Sequence, residues 1–372
     1  MNNRLPETMT AVVLTGHGGY EKLEIRHDWP VPQPKAGEVL IKVAACGVNN
    51  TDINTRIGWY DDSVEGDTTS GGEEGFDTVE DDSIGGWGNT GIQFPRIQGA
   101  DTVGTVVALG DGVDDDWMGQ RVLSENWLRD WSQPMNRNFA GYVGSECDGG
   151  FAQYVALPIT NVGRIHSDWS DAELATISCS YTTAENMLGR ARVSAEDIVL
   201  VTGASGGVGS ALIQLIKRRG AKVIALTSAS KADQVMAIGP DAIIRRGVDS
   251  WADVVKSVSE TGKVTVAADV VGGPVFADLM SVLERGGRYV VSGAIGGKKV
   301  ELDISHLYLF DWELIGSTVT TLNIFPDVLR YVENNEIRPL LAATYPLEQI
   351  KEAQAAFLEK KHVGKLVLIP PQ

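Results

Sequence analysis

Gly203, Gly206 and Gly209 lie in the run Thr202-Gly-Ala-Ser-Gly-Gly-Val-Gly-Ser210, and their spacing allows chemistry done by backbone rather than side chains. An apolar run, Ile198 to Val201, leads into them, and Leu212, Ile213, Leu215 and Ile216 follow at helical spacing. A strand, a glycine turn and a helix in that order bring the unpaired N–H groups of the helix's first turn to one point. The positive end of the helix dipole faces the same way, so a pyrophosphate can approach the backbone there. Ser205, Gly207 and Val208 complete the turn. A tight strand-to-helix turn without a ligand is the plainer alternative, and the flanking strand and helix weigh against it. The stretch reads as a dinucleotide site.

The next strand indicates which dinucleotide. An acidic residue at its end would hydrogen-bond the adenosine ribose of NAD and repel a 2′-phosphate. Here Lys222-Val-Ile-Ala-Leu-Thr-Ser228 is followed by Ala229, Ser230 and Lys231, and the acid is missing. Thr227 and Ser228 offer room and donors, and Lys231 offers positive charge, so NADPH is expected over NADH. The alternative for Lys231 is an exposed residue at a helix start.

Around these residues the chain changes character once. Short apolar runs bounded by Gly, Pro and Asp predict strands at 10–14, 39–44, 104–109, 120–123 and 151–158, a compact β-rich unit. From about residue 170 the pattern is a helical stretch (171–192), then strands at 197–203, 222–228, 241–245, 264–271, 287–292 and 312–319. Helices are expected between them near 208–219, 230–238, 250–260, 274–284 and 302–309. Alternation of that kind predicts an α/β fold with a parallel sheet covered on both faces. Helices at 325–334 and 347–360 and strands at 342–345 and 364–370 close the chain.

The 372 residues suffice for two domains, and 43% hydrophobic with 22% charged residues is ordinary for a globular protein. A formal charge of −17 argues against nucleic acid or an anionic membrane as partner. Much of that charge is local: ten Asp and Glu residues fall between 61 and 82, with no Lys or Arg from 61 to 95. That segment reads as a long, solvated or partly disordered insertion. No apolar run is long enough to span a bilayer, the first residues lack a secretory pattern, and Cys46, Cys147 and Cys179 are too few for a disulfide framework. A reducing cytoplasm fits best.

Several segments in order resemble the medium-chain dehydrogenase/reductase superfamily, in its zinc-free, quinone-oxidoreductase-like branch. They are Gly47-Val-Asn-Asn-Thr-Asp52, Pro95-Arg-Ile-Gln-Gly-Ala-Asp101, Asp148-Gly-Gly-Phe-Ala-Gln-Tyr154, Thr183-Ala184, the glycine turn 202–209, Gly286-Gly-Arg-Tyr-Val-Val-Ser-Gly293 and His362-Val-Gly-Lys365. The resemblance implies a GroES-like catalytic domain (1–170 and 322–372, with the insertion 61–95) and a Rossmann domain (171–321). It also implies an active site between them and a homodimer through the Rossmann edge strand. Zinc-dependent relatives carry Cys after the Gly-Ile/Val pair, Gly-His-Glu in the second motif, and a third ligand Cys near the Rossmann entry. This chain has Asn49, Ala100 and Cys179 there, so no zinc is expected. A makeshift site from Cys46, Asp101 and Cys179 is the alternative.

Without a Lewis acid, a conjugated acceptor is the easier substrate, because hydride addition produces an enolate or phenolate that hydrogen-bond donors can hold. The run Asn49 to Tyr60 resembles the segment that ends in the catalytic tyrosine of enoyl-thioester reductases. Tyr60 is therefore the expected proton donor, with pocket lining as its alternative role. Asn49 is expected either to donate to substrate or ribose or to shape a turn. Asp52 and Asp101 are read as fold-supporting acceptors. By the same resemblance Thr183 lies beside the nicotinamide, Val271, Ser292 and Gly293 follow strand ends at the cofactor, and Lys365 faces either its phosphates or solvent. Trp127, Arg129 and Trp131 either line an aromatic pocket or simply pack. The acidic insertion is either a selector against anionic acceptors, CoA thioesters included, or a loop away from substrate. The expected activity is NADPH-dependent, zinc-independent reduction of a quinone or α,β-unsaturated carbonyl. The alternatives are an alcohol dehydrogenase and a nucleotide-binding regulatory protein without efficient turnover.

Overall fold

The computed structural model describes residues 5–76, 87 and 91–372. Six parallel strands form one sheet in the spatial order Ala242–Arg245, Lys222–Thr227, Ile198–Val201, Val264–Asp269, Leu283–Val291, Glu313–Gly316. By position in the chain that order is 3-2-1-4-5-6, the doubly wound arrangement whose switch point lies between the first and fourth strands. Val199, Leu200 and Val201 are fully buried, as a strand covered on both faces requires. The helix Gly207–Arg218 buries Leu212, Ile213, Leu215 and Ile216 completely. Each such aliphatic side chain contributes about 1.5–3 kcal/mol.

Asp269 ties the switch point together. Thr202 Oγ1 donates to it at 2.5 Å, Tyr289 Oη at 2.7 Å and the Val271 N–H at 2.9 Å. Three neighbouring strand ends are thereby fixed where the glycine turn begins.

The remaining chain builds an antiparallel-rich unit. Thr8–Leu14 pairs with Leu23–Pro30, and Glu38–Gly47 pairs with Asp101–Leu109 and Tyr154–Pro158. The last strand, Lys365–Ile369, pairs with Glu38–Gly47 at Val367↔Gly47 and Leu368↔Cys46, so the end of the chain completes a sheet begun near its start.

Most expected elements form at the expected places, with two differences. The helix expected at 274–284 ends at Val282, because Leu283 is extended (φ −75°, ψ 134°) and already pairs with Val264. The insertion, read as solvated or partly disordered, keeps most of its acidic residues exposed over its described part and is anchored by a few buried ones. Thr68 is 1% exposed and Val64 4% exposed, Arg56 Nη2 donates to the Gly72 carbonyl at 2.6 Å, and Thr68 N–H donates to the Ile295 carbonyl at 3.3 Å. One of its carboxylates, Glu65, forms an exposed ion pair with Lys299. The rest of that expectation, residues 77–86 and 88–90, lies outside the described residues.

Candidate active site

A cleft of about 770 Å³ opens at the carboxyl ends of the parallel strands, within the range of small-molecule and cofactor sites. The glycine turn forms its floor. Gly203 has φ +58°, a conformation that glycine adopts without cost. A Cβ on Gly209 would stand 2.2 Å from the Gly203 carbonyl, and one on Gly207 would stand 2.4 Å from Ser180 Oγ. Gly206 caps the helix Gly207–Arg218, whose first-turn N–H groups have no acceptor within the helix. Backbone donors converge in a space that side chains would fill, and a dinucleotide pyrophosphate fits there.

Ser205 and Val208 line this cleft with the glycines, as do Thr227, Ser228, Lys231, Val271, Ser292, Gly293, Asn49 and Lys365. Thr183 and Tyr60 are outside that lining. The hydroxyl of Thr183 instead lies beside the Cys179 thiol and Tyr60 lies deeper. Among the cleft residues that escaped the sequence reading are Asn50, Ser180, Gln234, Arg246, Glu359, Lys360 and Lys361, and His362 was read only as part of a motif. Lys360 stands two residues before the His362-Val-Gly-Lys365 motif and has φ +52°, a placement that sequence does not reveal. Burial, with Lys231 nearby, pulls Lys360 down to about 8, and it holds His362 at about 4 and therefore neutral. Lys231 and Arg246 lie close enough that Arg246 adds to the lowering of Lys231 after burial.

Beside the cleft, Asp101 gathers four donors. The Cys179 N–H reaches it at 2.7 Å, Asn49 Nδ2 at 3.0 Å and Asn126 Nδ2 at 3.2 Å, and Lys365 Nζ forms a buried ion pair with it. The carboxylate thus stabilises the amino end of the helix Ser178–Arg190 and fixes the Asn49 amide. Asn49 itself precedes the helix Asn50–Arg56 and its N–H donates to Asp52 at 2.7 Å. Burial pushes Asp52 up to about 7 against that hydrogen bond and the Lys365 charge.

The zinc-ligand positions of related enzymes therefore hold an amide engaged with Asp101, the methyl group of Ala100, and Cys179. Burial pushes the Cys179 thiol up to about 11, and Tyr142 Oη donates to its sulfur at 3.3 Å. Cys46 is fully buried, with burial first among the causes that raise its thiol. Zinc needs at least three converging deprotonated ligands. No group of three His, Cys, Asp or Glu side chains suited to a metal occurs among the described residues. This donor set does not fit zinc.

Tyr60 is surrounded by rings and by Thr51 and Asn54. Burial raises its phenol to about 12, with those two side chains opposing. Of the aromatic candidates, Trp127 joins this ring cluster, whereas Trp131 is 49% exposed. Arg129 is used for structure: it pairs with Glu125 and donates to the Thr320 carbonyl at 2.9 Å.

Residues 35–167 match the alcohol dehydrogenase GroES-like domain model, and residues 207–334 match that of the zinc-binding dehydrogenases. A solved structure from Sinorhizobium meliloti 1021, provisionally named an alcohol dehydrogenase, is 44% identical. It superposes with a TM-score of 0.87 over 99% of this chain and 98% of that one. The acryloyl-coenzyme A reductase of Metallosphaera sedula is 27% identical over 97% of this chain and 99% of its own length. Human quinone oxidoreductase is 26% identical over 97% and 98%. Among the described residues no helix is long and apolar enough to cross a membrane. With its GroES-like unit, its doubly wound sheet and these relatives, the chain belongs to the medium-chain dehydrogenase/reductase superfamily of oxidoreductases.

Proposed function

We propose that this protein is an NADPH-dependent, zinc-independent reductase of quinones or of C=C bonds conjugated to a carbonyl. The observation that carries the reading is the Asn49–Asp101–Lys365 network, which stands where a metal would need ligands and commits those side chains to one another. An acceptor in this site is then primed by its own conjugation, and the developing oxyanion must be met by hydrogen-bond donors. When bound, NADPH supplies a hydride from its nicotinamide C4 to the electrophilic carbon.

The chain's own residues supply the rest. Tyr60, protonated at every working pH because burial lifts its phenol, is the proton donor to the enolate or phenolate product. Thr51 and Asn54 beside its hydroxyl orient it. Thr227 and Ser228, with Lys231, Arg246 and Lys360 on the same side of the cleft, suit a 2′-phosphate in place of the acid that would select NADH. The catalytic unit comprises 1–170 and 322–372 and the dinucleotide unit 171–321.

Relatives named acryloyl-coenzyme A reductase and quinone oxidoreductase support the reaction class, and the alcohol dehydrogenase names among the relatives keep a second reading in play. The two separate by metal analysis of the purified protein, with NADPH oxidation against quinones, enones and enoyl thioesters before and after chelation. Turnover of a conjugated acceptor unaffected by chelation supports the reading. Stoichiometric zinc required for alcohol oxidation overturns it. The free thiols Cys46, Cys147 and Cys179 suit a reducing cytoplasm. Exposed Ile304 (65%), Tyr308 (65%) and Leu314 (41%) beside the open edge strand Glu313–Gly316 suit a homodimer.

A further inference from the structure

A cluster of rings packs outside the cleft lining, and one of them comes from the acidic insertion. Trp87 contacts Tyr60 with ring centroids 5.3 Å apart, Trp127 at 5.3 Å and Tyr142 at 5.8 Å. Its backbone N–H donates to Glu146 Oε1 at 2.5 Å, while Glu146 Oε2 accepts the Tyr142 N–H at 2.6 Å. One carboxylate thus holds both ring-bearing segments in register. Tyr142 Oη donates to Cys179 Sγ, and Cys179 is followed directly by Ser180 in the dinucleotide cleft wall. The ring cluster therefore adjoins the wall of the dinucleotide cleft.

Within it, the indole Nε1 of Trp87 is buried and has no hydrogen-bond partner among the described residues. A buried donor left unpaired is unfavourable and calls for an acceptor. The nearby Tyr60 is the proposed proton donor, so its phenol and the unpaired Trp87 indole belong to one ring contact. Flat aromatic walls favour a flat ring. The insertion carries ten Asp and Glu residues between 61 and 82 and no Lys or Arg, a charge balance that opposes a polyanionic acceptor.

We propose that Trp87 determines acceptor specificity, its ring stacking on a planar, ring-bearing conjugated carbonyl compound, a quinone or aryl enone, and its indole N–H donating to that carbonyl. The proposal rests on the reductase reading and adds that a CoA thioester is the poorer acceptor.

The test measures duroquinone binding to NADP⁺-loaded protein by equilibrium dialysis, together with kcat and KM for duroquinone and for acryloyl-CoA. Wild type, Trp87→Phe and Trp87→Ala are compared. Trp87→Phe keeps a ring and removes the N–H. It is expected to weaken quinone binding about tenfold, the loss of one hydrogen bond, and to raise KM more than it lowers kcat. Trp87→Ala is expected to lose more quinone affinity and to improve acryloyl-CoA relative to duroquinone. Unchanged quinone binding in Trp87→Phe overturns the proposal, as does an acryloyl-CoA preference in wild type or loss of NADP⁺ binding in Trp87→Phe, which would make Trp87 structural. Quinone binding that depends on Trp87 without turnover of any acceptor leaves this inference standing and overturns the reductase reading instead. Turnover of duroquinone that ignores Trp87 does the reverse.

Discussion

Lys365 and Asp101 form an ion pair from which water is excluded, with side chains 4% and 0% exposed. They are 264 positions apart in sequence, so the pair fastens the last strand to the strand Asp101–Leu109 and to the start of the helix carrying Cys179. Burial pulls the Lys365 ammonium down to about 7, with the nearby Asp52 carboxylate opposing that fall. Asp101→Ala takes the acceptor from that ammonium, the Cys179 N–H and the Asn49 amide, while Asn126 Nδ2 keeps Tyr142 Oη. Breaking a buried pair from one side costs about 3–5 kcal/mol, and denaturant melts should show a loss of that size. A loss under about 1 kcal/mol, the value for exposed pairs, would show the pair to be unimportant.

Tyr60→Phe should lower kcat by roughly 10²-fold or more, the lower bound for a positioned acid, and leave NADPH affinity unchanged. Steady-state kinetics with titration of NADPH fluorescence separates the two. Because burial holds the Tyr60 phenol at about 12, wild type should show no Tyr60 ionisation in its rate profile between pH 6 and about 10. Unaltered kcat in the variant would remove Tyr60 from the mechanism.

Cofactor choice turns on the end of the strand Lys222–Thr227. Ser228→Asp supplies the missing acid, and with Lys231→Ala it removes a cation facing the same region. The double variant should bind NADPH about 10- to 100-fold more weakly, roughly 1.4–2.8 kcal/mol, and gain relative affinity for NADH. Equilibrium binding of both dinucleotides decides it. Equal losses for both would show that these residues do not read the 2′-phosphate.

Lys360 gives a pH dependence whose sign can be worked out. Its folded pKa, about 8, lies below the ordinary 10.5, so the folded state sheds its proton first. Between about pH 8 and 10.5 the unfolded chain binds more protons, and this group's contribution to stability rises with pH there. Below pH 8 the cost of the buried charge is present in full. Cofactor binding runs the other way, because the charged ammonium is what attracts phosphate. NADP⁺ affinity should therefore fall as pH rises through about 8, and Lys360→Met should flatten that fall. Isothermal titration at pH 7 and pH 9 measures both.

The edge strand Glu313–Gly316 exposes Leu314, and the helix Ile304–Leu309 exposes Ile304 and Tyr308. Placing a charge there by Leu314→Arg should shift sedimentation from dimer to monomer while leaving the thermal unfolding midpoint of the monomeric unit within a few degrees. A wild-type protein that sediments as a monomer would exclude this interface.

Where local pattern decides structure, the sequence was informative. The strands around Val199, Ile224 and Val266 are apolar on both faces, and Gly203 to Gly209 announce the turn between strand and helix. Leu23–Pro30 went unread because it is an edge strand facing water, and Arg26, His27 and Asp28 hide its alternation. The anchoring of the insertion went unread because acidic, glycine-rich composition ordinarily means solvation. Here Lys298 Nζ donates to the Asp61 carbonyl from the far side of the cleft, a partner 237 residues away. Likewise, no spacing joins Tyr142 to Cys179 or Trp87 to Glu146, so the ring cluster beside the cleft comes into view only when distant segments meet.

The last strand, Lys365–Ile369, lies between Glu38–Gly47 and Leu341–Pro346 rather than at an edge. During synthesis the sheet of the amino-terminal half therefore stays unfinished until residues 365–369 have been made. The parallel sheet between them, whose strands are all contained within 198–316, has every partner it needs well before that moment. The sheet within 198–316 can thus assemble before the one that joins Glu38–Gly47 to Lys365–Ile369, and stands ready as a surface on which those distant segments meet.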